Sequence, residues 1–261
     1  ITLSGFWMFC VHILTKEHPF LDPQMFRDQN FRIGLIFIFV VGIILLASLA
    51  LLPPMLSRIL GYPVITTGWV MAPRGVGTMI SMLIVGRLVR VVDPRVLVLT
   101  GLSLTALSLW EMTGFTPQMD SWPIIRSGIV QGLGLGLVFV PLSTIAFATL
   151  EPRFRADATS LFSLVRNIGS SIGISIVTAA LARNVQINHA ELGSFIHPYN
   201  PVVAQAYPSA LTGNATTLQM LDGLVNVQAA MVSYVDDFYL MMWVTLLAMP
   251  LALILRRPAR A

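Results

Sequence analysis

Charged residues are scarce in this chain, and their scarcity excludes most classes of soluble protein. Asp, Glu, Lys and Arg make up 11% of the 261 residues, whereas hydrophobic residues make up 56%. Soluble globular domains are about 25% charged. The chain therefore has too little ionic surface for a soluble enzyme or a disordered segment. Its 16 basic residues form no continuous stripe, so nucleic acid is not an expected partner. The composition predicts a polytopic membrane protein.

Cysteine is nearly absent, and patterns that bind metals or cofactors are missing. Cys10 is the only cysteine, which excludes an intramolecular disulfide and a cysteine-based zinc site. The four histidines lack metal-ligand spacing, and no nucleophile–base pair suggests catalysis. The glycine-rich run at 131–136 lacks both the spacing and the preceding strand of a nucleotide loop. We therefore expect no metal, no cofactor and no enzymatic activity.

Acidic residues are missing from the middle of the long apolar runs. Glu111 alone falls within such a run, near one end, and the pattern assigns Asp236 and Asp237 to the region outside the membrane. Proton coupling usually needs a carboxylate that titrates inside the membrane. We therefore expect any proton carrier to belong to a part of the protein that precedes this chain.

Six apolar runs are long enough to cross a bilayer as helices. A hydrocarbon core about 30 Å thick needs roughly 20 helical residues, and the 25 residues from 33 to 57 carry no charge. In lipid, isolated segments of this length satisfy their backbone groups only as helices. The predicted fold is an all-α integral membrane protein with a bundle of six transmembrane helices over 33–256. The predicted spans are residues 33–57, 67–88, 95–113, 122–150, 159–183 and 236–256.

The flanking segments complete the expected organisation. Residues 1–15 are apolar, and their nearest charges follow rather than precede them, so 1–32 is interpreted as the end of a truncated span and a cytoplasmic linker. Eleven of the 16 basic residues lie on one set of alternate loops and ends. Because basic loops stay in the cytoplasm, the C-terminus with its tail 257–261 is predicted inside. The polar segment 184–235 is then outside, with one short amphipathic helix at 218–232.

Two arginines inside the predicted spans are the main functional candidates. Arg74 lies about 10 Å and Arg166 about 12 Å along its span, at 1.5 Å per residue. A charge at such a depth faces a watery cavity or a partner, although Arg74 has the alternative of snorkelling to the surface. Neighbouring side chains would add apolar surface and hydrogen-bonding groups to a shared cavity. The predicted cavity or coupling residues are Arg74, Arg166, Asn167, Gln131, Met71 and Phe139.

A short basic loop and a set of small residues are the remaining motifs. Basic residues and an aspartate between the second and third spans can form charge-assisted bonds that latch helix ends together, and a plain cytoplasmic loop is the alternative. This loop motif comprises Gly86, Arg87, Arg90, Asp93 and Arg95. Small residues permit close helix packing, and proline kinks helices. The predicted packing or kink positions are Gly75, Gly132, Gly136, Pro141, Gly169 and Gly173.

Taken in order, these motifs resemble the C-terminal half of a major facilitator superfamily transporter. More narrowly, they resemble the fourteen-span drug:proton antiporter family of the EmrB/QacA type. The matching elements are Phe26–Phe31, Gly61 and Tyr62 with Gly68, Ala72–Gly75, Gly86 and Arg87 with Asp93 and Arg95, Gln131 and Gly132 with Pro141 and Leu142, and Arg166–Gly169. The loop departs from the family's pattern, because Asp93 and Pro94 stand where glycines are usual.

The resemblance implies a function as well as a fold. It implies that the chain is the C-terminal part of a proton-coupled multidrug efflux transporter, which exports hydrophobic or cationic compounds across a bacterial inner membrane and confers antibiotic resistance. The implied partners are the lipid bilayer, the missing N-terminal half, protons, drug-like substrates, and a periplasmic adaptor with an outer-membrane channel. Two other functions stay open: a major facilitator transporter of a small metabolite or siderophore, and a non-transporting membrane scaffold or sensor.

Overall fold

The computed structural model describes residues 23–197, 199–211 and 214–254, together with Trp7 and Val11. Within 23–254 the described residues form eight α-helices and two 3-10 turns, without a strand. The helices are α1 (Gln29–Arg58), α2 (Val64–Leu88), α3 (Pro94–Met112), α4 (Ser121–Ala148), α5 (Arg155–Ser194), α6 (Pro201–Ala206), α7 (Pro208–Leu211) and α8 (Ala215–Ile254). The 3-10 turns are Pro23–Arg27 and Pro152–Phe154.

Six of these helices, α1 to α5 and α8, are long and apolar enough to cross a membrane. This confirms the prediction of an all-α bundle with six spans. The expected truncated span at 1–15 falls largely outside the described residues, as does the expected tail at 257–261.

Local sequence explains where several helices begin and end. The Asp28 carboxylate accepts a hydrogen bond from the Phe31 N–H at 2.9 Å and caps α1. Pro94 occupies the first position of α3, where its missing N–H costs nothing. Between α1 and α2 the chain reverses at Gly61, whose φ of 67° is accessible to glycine without strain.

The α4 helix lies at the centre of the bundle and packs against α2, α3 and α1. The α1 helix also packs on α5, and α8 closes the bundle against α3, α5 and α1. Large apolar side chains fill the spaces between helices, including the fully buried Phe37, Leu142 and Phe238. The core therefore belongs to the whole bundle and places α1, α2, α4 and α5 side by side.

Glycines bring the α4 backbone against two neighbours. A Cβ atom on Gly132 would collide with the Arg74 carbonyl oxygen of α2, and one on Gly136 would lie 2.6 Å from the Ser81 side chain. On the other side of α4, a Cβ on Gly134 would lie 2.7 Å from the Gly101 carbonyl oxygen. Pro141 is buried within the same helix, which continues to Ala148. Without these glycines the helices could not approach so closely.

A second close approach joins α1 and α5. A Cβ on Gly169 would collide with the Phe39 carbonyl oxygen, and one on Gly173 would lie 2.7 Å from the Ile43 Cα atom. Gly42 contributes from the α1 side, because a Cβ there would collide with the Arg166 carbonyl oxygen. Gly75 differs from the expectation for a packing glycine: a Cβ there meets no described atom within 4 Å.

The segment expected to be an outer loop is helical over most of its length. The α5 helix continues to Ser194 and α8 begins at Ala215, so the two helices have 40 residues each. Polar side chains such as Asn188 and His189 do not interrupt the helix, and they bond to Ser233 and Asp222 of α8. The predicted short helix 218–232 is continuous with the last span. We call the end of the bundle formed by 59–63, 113–120 and the described residues 195–197 and 199–211 the long-connection end, and the end formed by 89–93 and 149–154 the basic-loop end.

Candidate functional site

A cavity of about 240 Å³ lies among α1, α2, α4 and α5. Its lining is apolar except for a threonine and an arginine. The lining residues are Val41, Leu45, Thr78, Met82, Leu135, Phe139 and Arg166. Ligand pockets are typically apolar with a few placed polar groups, and this cavity has that composition.

Arg166 is the charged group of this cavity. Its guanidinium carbon lies 5.6 Å from the centroid of the Phe139 ring, within the range of a cation–π interaction. The side chain is half-buried, and its backbone is held where Gly42 lets α1 approach α5. The sequence predicted both Arg166 and Phe139 as cavity residues, and the structure brings them together.

Arg74 lies behind the cavity wall rather than in the lining. Its side chain is 7% exposed, and Nη2 donates hydrogen bonds to Ser48 Oγ at 3.1 Å and to the Leu45 carbonyl at 3.3 Å. Its own carbonyl accepts a 3.0 Å hydrogen bond from Thr78 Oγ1. Arg74 therefore joins α2 to α1 and contacts two residues, Leu45 and Thr78, whose side chains line the cavity. The alternative of snorkelling to the surface is wrong.

Three other predicted cavity residues lie away from the lining. Gln131 is completely buried on α4 between Gly128 and Gly132, the two glycines that face Arg74. Neither the oxygen nor the nitrogen of its amide group has a partner within the described part of the chain. Met71 packs against the apolar core one turn before Arg74. Asn167 is exposed on α5. The expectation of one shared cavity therefore holds for two of its six residues, because helical rotation turns the others onto different faces.

The predicted loop motif is divided between two helices and a short connection. Gly86 and Arg87 belong to α2, and Arg95 belongs to α3. The Asp93 carboxylate accepts a hydrogen bond from the Arg95 backbone N–H at 3.1 Å and caps α3. Arg87 and Arg90 are exposed. The structure thus gives Asp93 a role in starting a helix, while the latch that the sequence suggested stays a prediction.

Asp237 is the buried acid that sequence reasoning missed. The sequence pattern assigned it to the region outside the membrane, yet its side chain is 1% exposed on α8, and Oδ2 has no partner among the described residues. Two adjacent aspartates, Asp236 and Asp237, are typical of the boundary between a membrane span and water, which is why the sequence pattern placed both outside. The available signal was the spacing: Ala229, Ser233 and Asp237 recur every four residues on one buried face of α8.

Comparisons with known proteins agree with this architecture. The profile of the Major Facilitator Superfamily matches residues 15–187. Multidrug export protein EmrB of Escherichia coli K12 is 33% identical over 220 residues, which cover 82% of this chain and 42% of that protein. Fatty acid resistance protein FarB of Neisseria gonorrhoeae is 29% identical over 74% of this chain and 38% of its own length.

A third relative is the Multidrug resistance protein B homolog of Mycobacterium tuberculosis H37Rv, which is 32% identical over 67% of this chain and 33% of its own length. The chain thus spans less than half the length of these relatives. The superfamily profile covers more than half of the chain, and six of its helices suit a bilayer. The chain is therefore a multi-pass membrane protein that belongs to the Major Facilitator Superfamily.

Proposed function

We propose that this chain forms one helical bundle of a multidrug efflux transporter and that the Arg166 cavity is part of its substrate path. Two of the relatives described above, EmrB and the Multidrug resistance protein B homolog, carry names that refer to multidrug export or resistance. Apolar faces of α2 and α5 support a second bundle on the far side of the cavity, because they are exposed at Met79, Leu83, Ile168 and Ile172. Secondary transporters rock two bundles about a shared site, so this chain alone would not transport.

The cavity composition favours hydrophobic substrates. Its lining offers aliphatic, methionine and phenylalanine surface, and Met-rich surfaces adapt to varied shapes. Arg166 additionally favours compounds with an anionic group, in keeping with the relative named for fatty acid resistance. Cationic substrates need carboxylates from the second bundle, since the described lining residues include no acid.

Coupling to protons is part of the proposal. We assign the proton-carrying carboxylates to the second bundle, where Arg166 would meet them across the cavity. The buried Asp237 of α8 is not among the residues that line that cavity. Arg74 would act as a positioning residue through its bonds to α1. Proton exchange by the complete transporter, measured with an entrapped pH-sensitive dye, should depend on substrate; exchange that ignores substrate would contradict coupling.

We propose that the basic-loop end faces the cytoplasm of a bacterial inner membrane and that the long-connection end faces outward. A 40-residue helix is about 60 Å long, twice the hydrocarbon thickness, so α5 and α8 extend well beyond the bilayer. Asn188 Nδ2 donates to Ser233 Oγ at 3.0 Å and ties the two extensions together. This helical pair is the proposed contact for a periplasmic adaptor with an outer-membrane channel.

Truncation tests the adaptor contact. Because Asn188 and Ser233 are in contact, residues 190–231 can be replaced by a short glycine linker that leaves the spans joined. The shortened transporter should still accumulate dye inside inverted vesicles, where the cytoplasmic face points outward, yet fail to co-purify with the adaptor. Co-purification at the wild-type level would contradict the proposed contact.

The cavity itself is tested with Arg166→Ala in the complete transporter. We expect export of a hydrophobic dye to fall about tenfold, a loss of about 1.4 kcal/mol. Arg183→Ala is the matched control, because Arg183 is an exposed arginine on the same helix. Unchanged export by Arg166→Ala, or an equal loss in the control, would remove the cavity from the substrate path.

A further inference from the structure

A second cavity, of about 380 Å³, lies at the long-connection end, where α3 ends and α4 begins. Its lining includes Trp110, Glu111, Phe115, Trp122 and Arg126. It shares no lining residue with the Arg166 cavity. The substrate path proposed above therefore does not account for it.

An ion pair is fixed inside this cavity. Arg126 Nη2 lies 2.6 Å from Glu111 Oε1; the arginine side chain is 63% exposed and the glutamate side chain 16% exposed. Arginine carries five N–H donors, and a carboxylate has two acceptor oxygens. One contact thus leaves both groups with capacity for a ligand that carries a positive and a negative charge.

The surroundings of the pair suit an amphiphile. Trp110 and Trp122 are 61% and 66% exposed at the ends of two membrane-spanning helices, and tryptophan is enriched at the level of lipid headgroups. Below Trp110, an exposed stripe continues down α3 through Leu107, Ser103 and Val96. A ligand with its headgroup in the cavity could lay an acyl chain along this stripe.

We propose that this cavity binds the headgroup of a zwitterionic phospholipid with a primary ammonium, the phosphatidylethanolamine class. The phosphate accepts charge-assisted hydrogen bonds from Arg126, and the ammonium donates to Glu111. Glu111 is less exposed than either indole, so the ammonium meets a carboxylate inside the cavity. A choline headgroup has no N–H to donate, and a glycerol headgroup has no cation for Glu111.

Native mass spectrometry of the complete transporter tests this assignment. Lipids with ethanolamine, choline and glycerol headgroups and identical acyl chains are titrated separately. We expect the ethanolamine lipid to bind about tenfold more tightly than the other two, the effect of one hydrogen bond to a charged group. Equal binding of the three lipids to the wild type would overturn the proposal.

Matched variants assign the preference to the ion pair. Glu111→Gln should abolish the preference for ethanolamine over choline, and Arg126→Gln should weaken binding of both. Glu191→Gln and Arg183→Gln are the controls, since both remove exposed charges from α5. A Glu111→Gln variant that keeps the wild-type preference, an Arg126→Gln variant that binds both lipids as tightly as the wild type, or controls that lose the preference would contradict the site.

Fluorescence locates the bound lipid without touching the ion pair. An ethanolamine lipid with brominated acyl chains should quench tryptophan emission more than its glycerol counterpart. This difference should disappear in the double variant Trp110→Phe, Trp122→Phe, which leaves the other three tryptophans in place. A difference that persists in the double variant would place the lipid elsewhere and overturn the proposal.

Discussion

The regions around Arg74 and Arg166 share one backbone arrangement but place their arginine side chains in different environments. In each, the arginine carbonyl lies against a glycine of a neighbouring helix: Gly132 for Arg74 and Gly42 for Arg166. The side chains then diverge. Arg74 is buried and hydrogen-bonded to α1, whereas Arg166 lies over Phe139 in a cavity. An arginine inside a span is therefore not evidence of a binding site until its neighbours are known.

Replacing the glycines should destabilise the packing in both regions and have the largest effect on stability. We expect Gly132→Ala and Gly42→Ala each to lower the free energy of unfolding by about 3 kcal/mol, because the new Cβ collides with backbone that cannot move freely. Thermal unfolding in detergent measures this. Gly75→Ala is the control, with no described atom near its Cβ; it should be neutral or stabilising by up to about 1 kcal/mol. Equal destabilisation of all three variants would contradict the packing account.

Arg74→Ala should lower the free energy of unfolding more than Arg166→Ala does. Two hydrogen bonds from a buried charged group are lost, so we expect a loss of about 2–3 kcal/mol. Arg166→Ala should change stability by less than about 1 kcal/mol, because it removes one cation–π contact at a half-exposed site. The same unfolding measurement compares them, and a larger loss for Arg166→Ala would reverse the assignment.

Much of the fold could be predicted from the sequence, and the reasons are physical. Runs such as 33–57 have one structure available in lipid, so the six helices followed from length and charge. Helix ends outside the membrane were less predictable. Residues 184–192 are mainly polar but contain no glycine or proline, and polarity alone does not end a helix, so α5 continues to Ser194. Spans and solvent-exposed extensions therefore merged into 40-residue helices.

The site was predictable only in part, because depth along a helix does not specify rotation about its axis. Arg166 and Phe139 face one cavity, whereas Gln131 and Arg74 turn into the helix interface. Gly42 was missed because one glycine in an apolar run carries no signal until its partner helix is known. Asp237 was missed because its polar neighbour Asp236 concealed the four-residue spacing of the buried face.

Ser48→Ala tests the hydrogen bond that holds the Arg74 guanidinium. It removes one of the two acceptors of the guanidinium while the Leu45 carbonyl remains. We expect a loss of about 1 kcal/mol in the free energy of unfolding, with dye export unchanged. Ser143→Ala is a control that removes only a hydroxyl bonded within its own helix. A Ser48→Ala variant as stable as this control would show that Arg74 does not depend on Ser48.

Phe139→Leu tests the contact between Arg166 and the Phe139 ring, and we expect it to have the smallest effect on stability. Leucine keeps apolar surface but loses the ring beneath the guanidinium, and a cation–π contact at a half-exposed site contributes about 0.5–1 kcal/mol. We expect dye export to fall about threefold, with little change in thermal stability. Export at the wild-type rate would mean that the ring does not orient Arg166.

Thiol labelling tests the difference between the two regions most directly. Cysteines are introduced by Arg166→Cys and, as the buried counterpart, by Ser48→Cys in a complete transporter from which Cys10 and every other native cysteine have been removed. A water-soluble maleimide is then added to membranes. We predict that the thiol at 166 reacts and that a transported substrate slows the reaction, while the thiol at 48, where the side chain is 0% exposed, stays unmodified. Equal labelling at both positions, or labelling at 166 that substrate does not slow, would contradict the account.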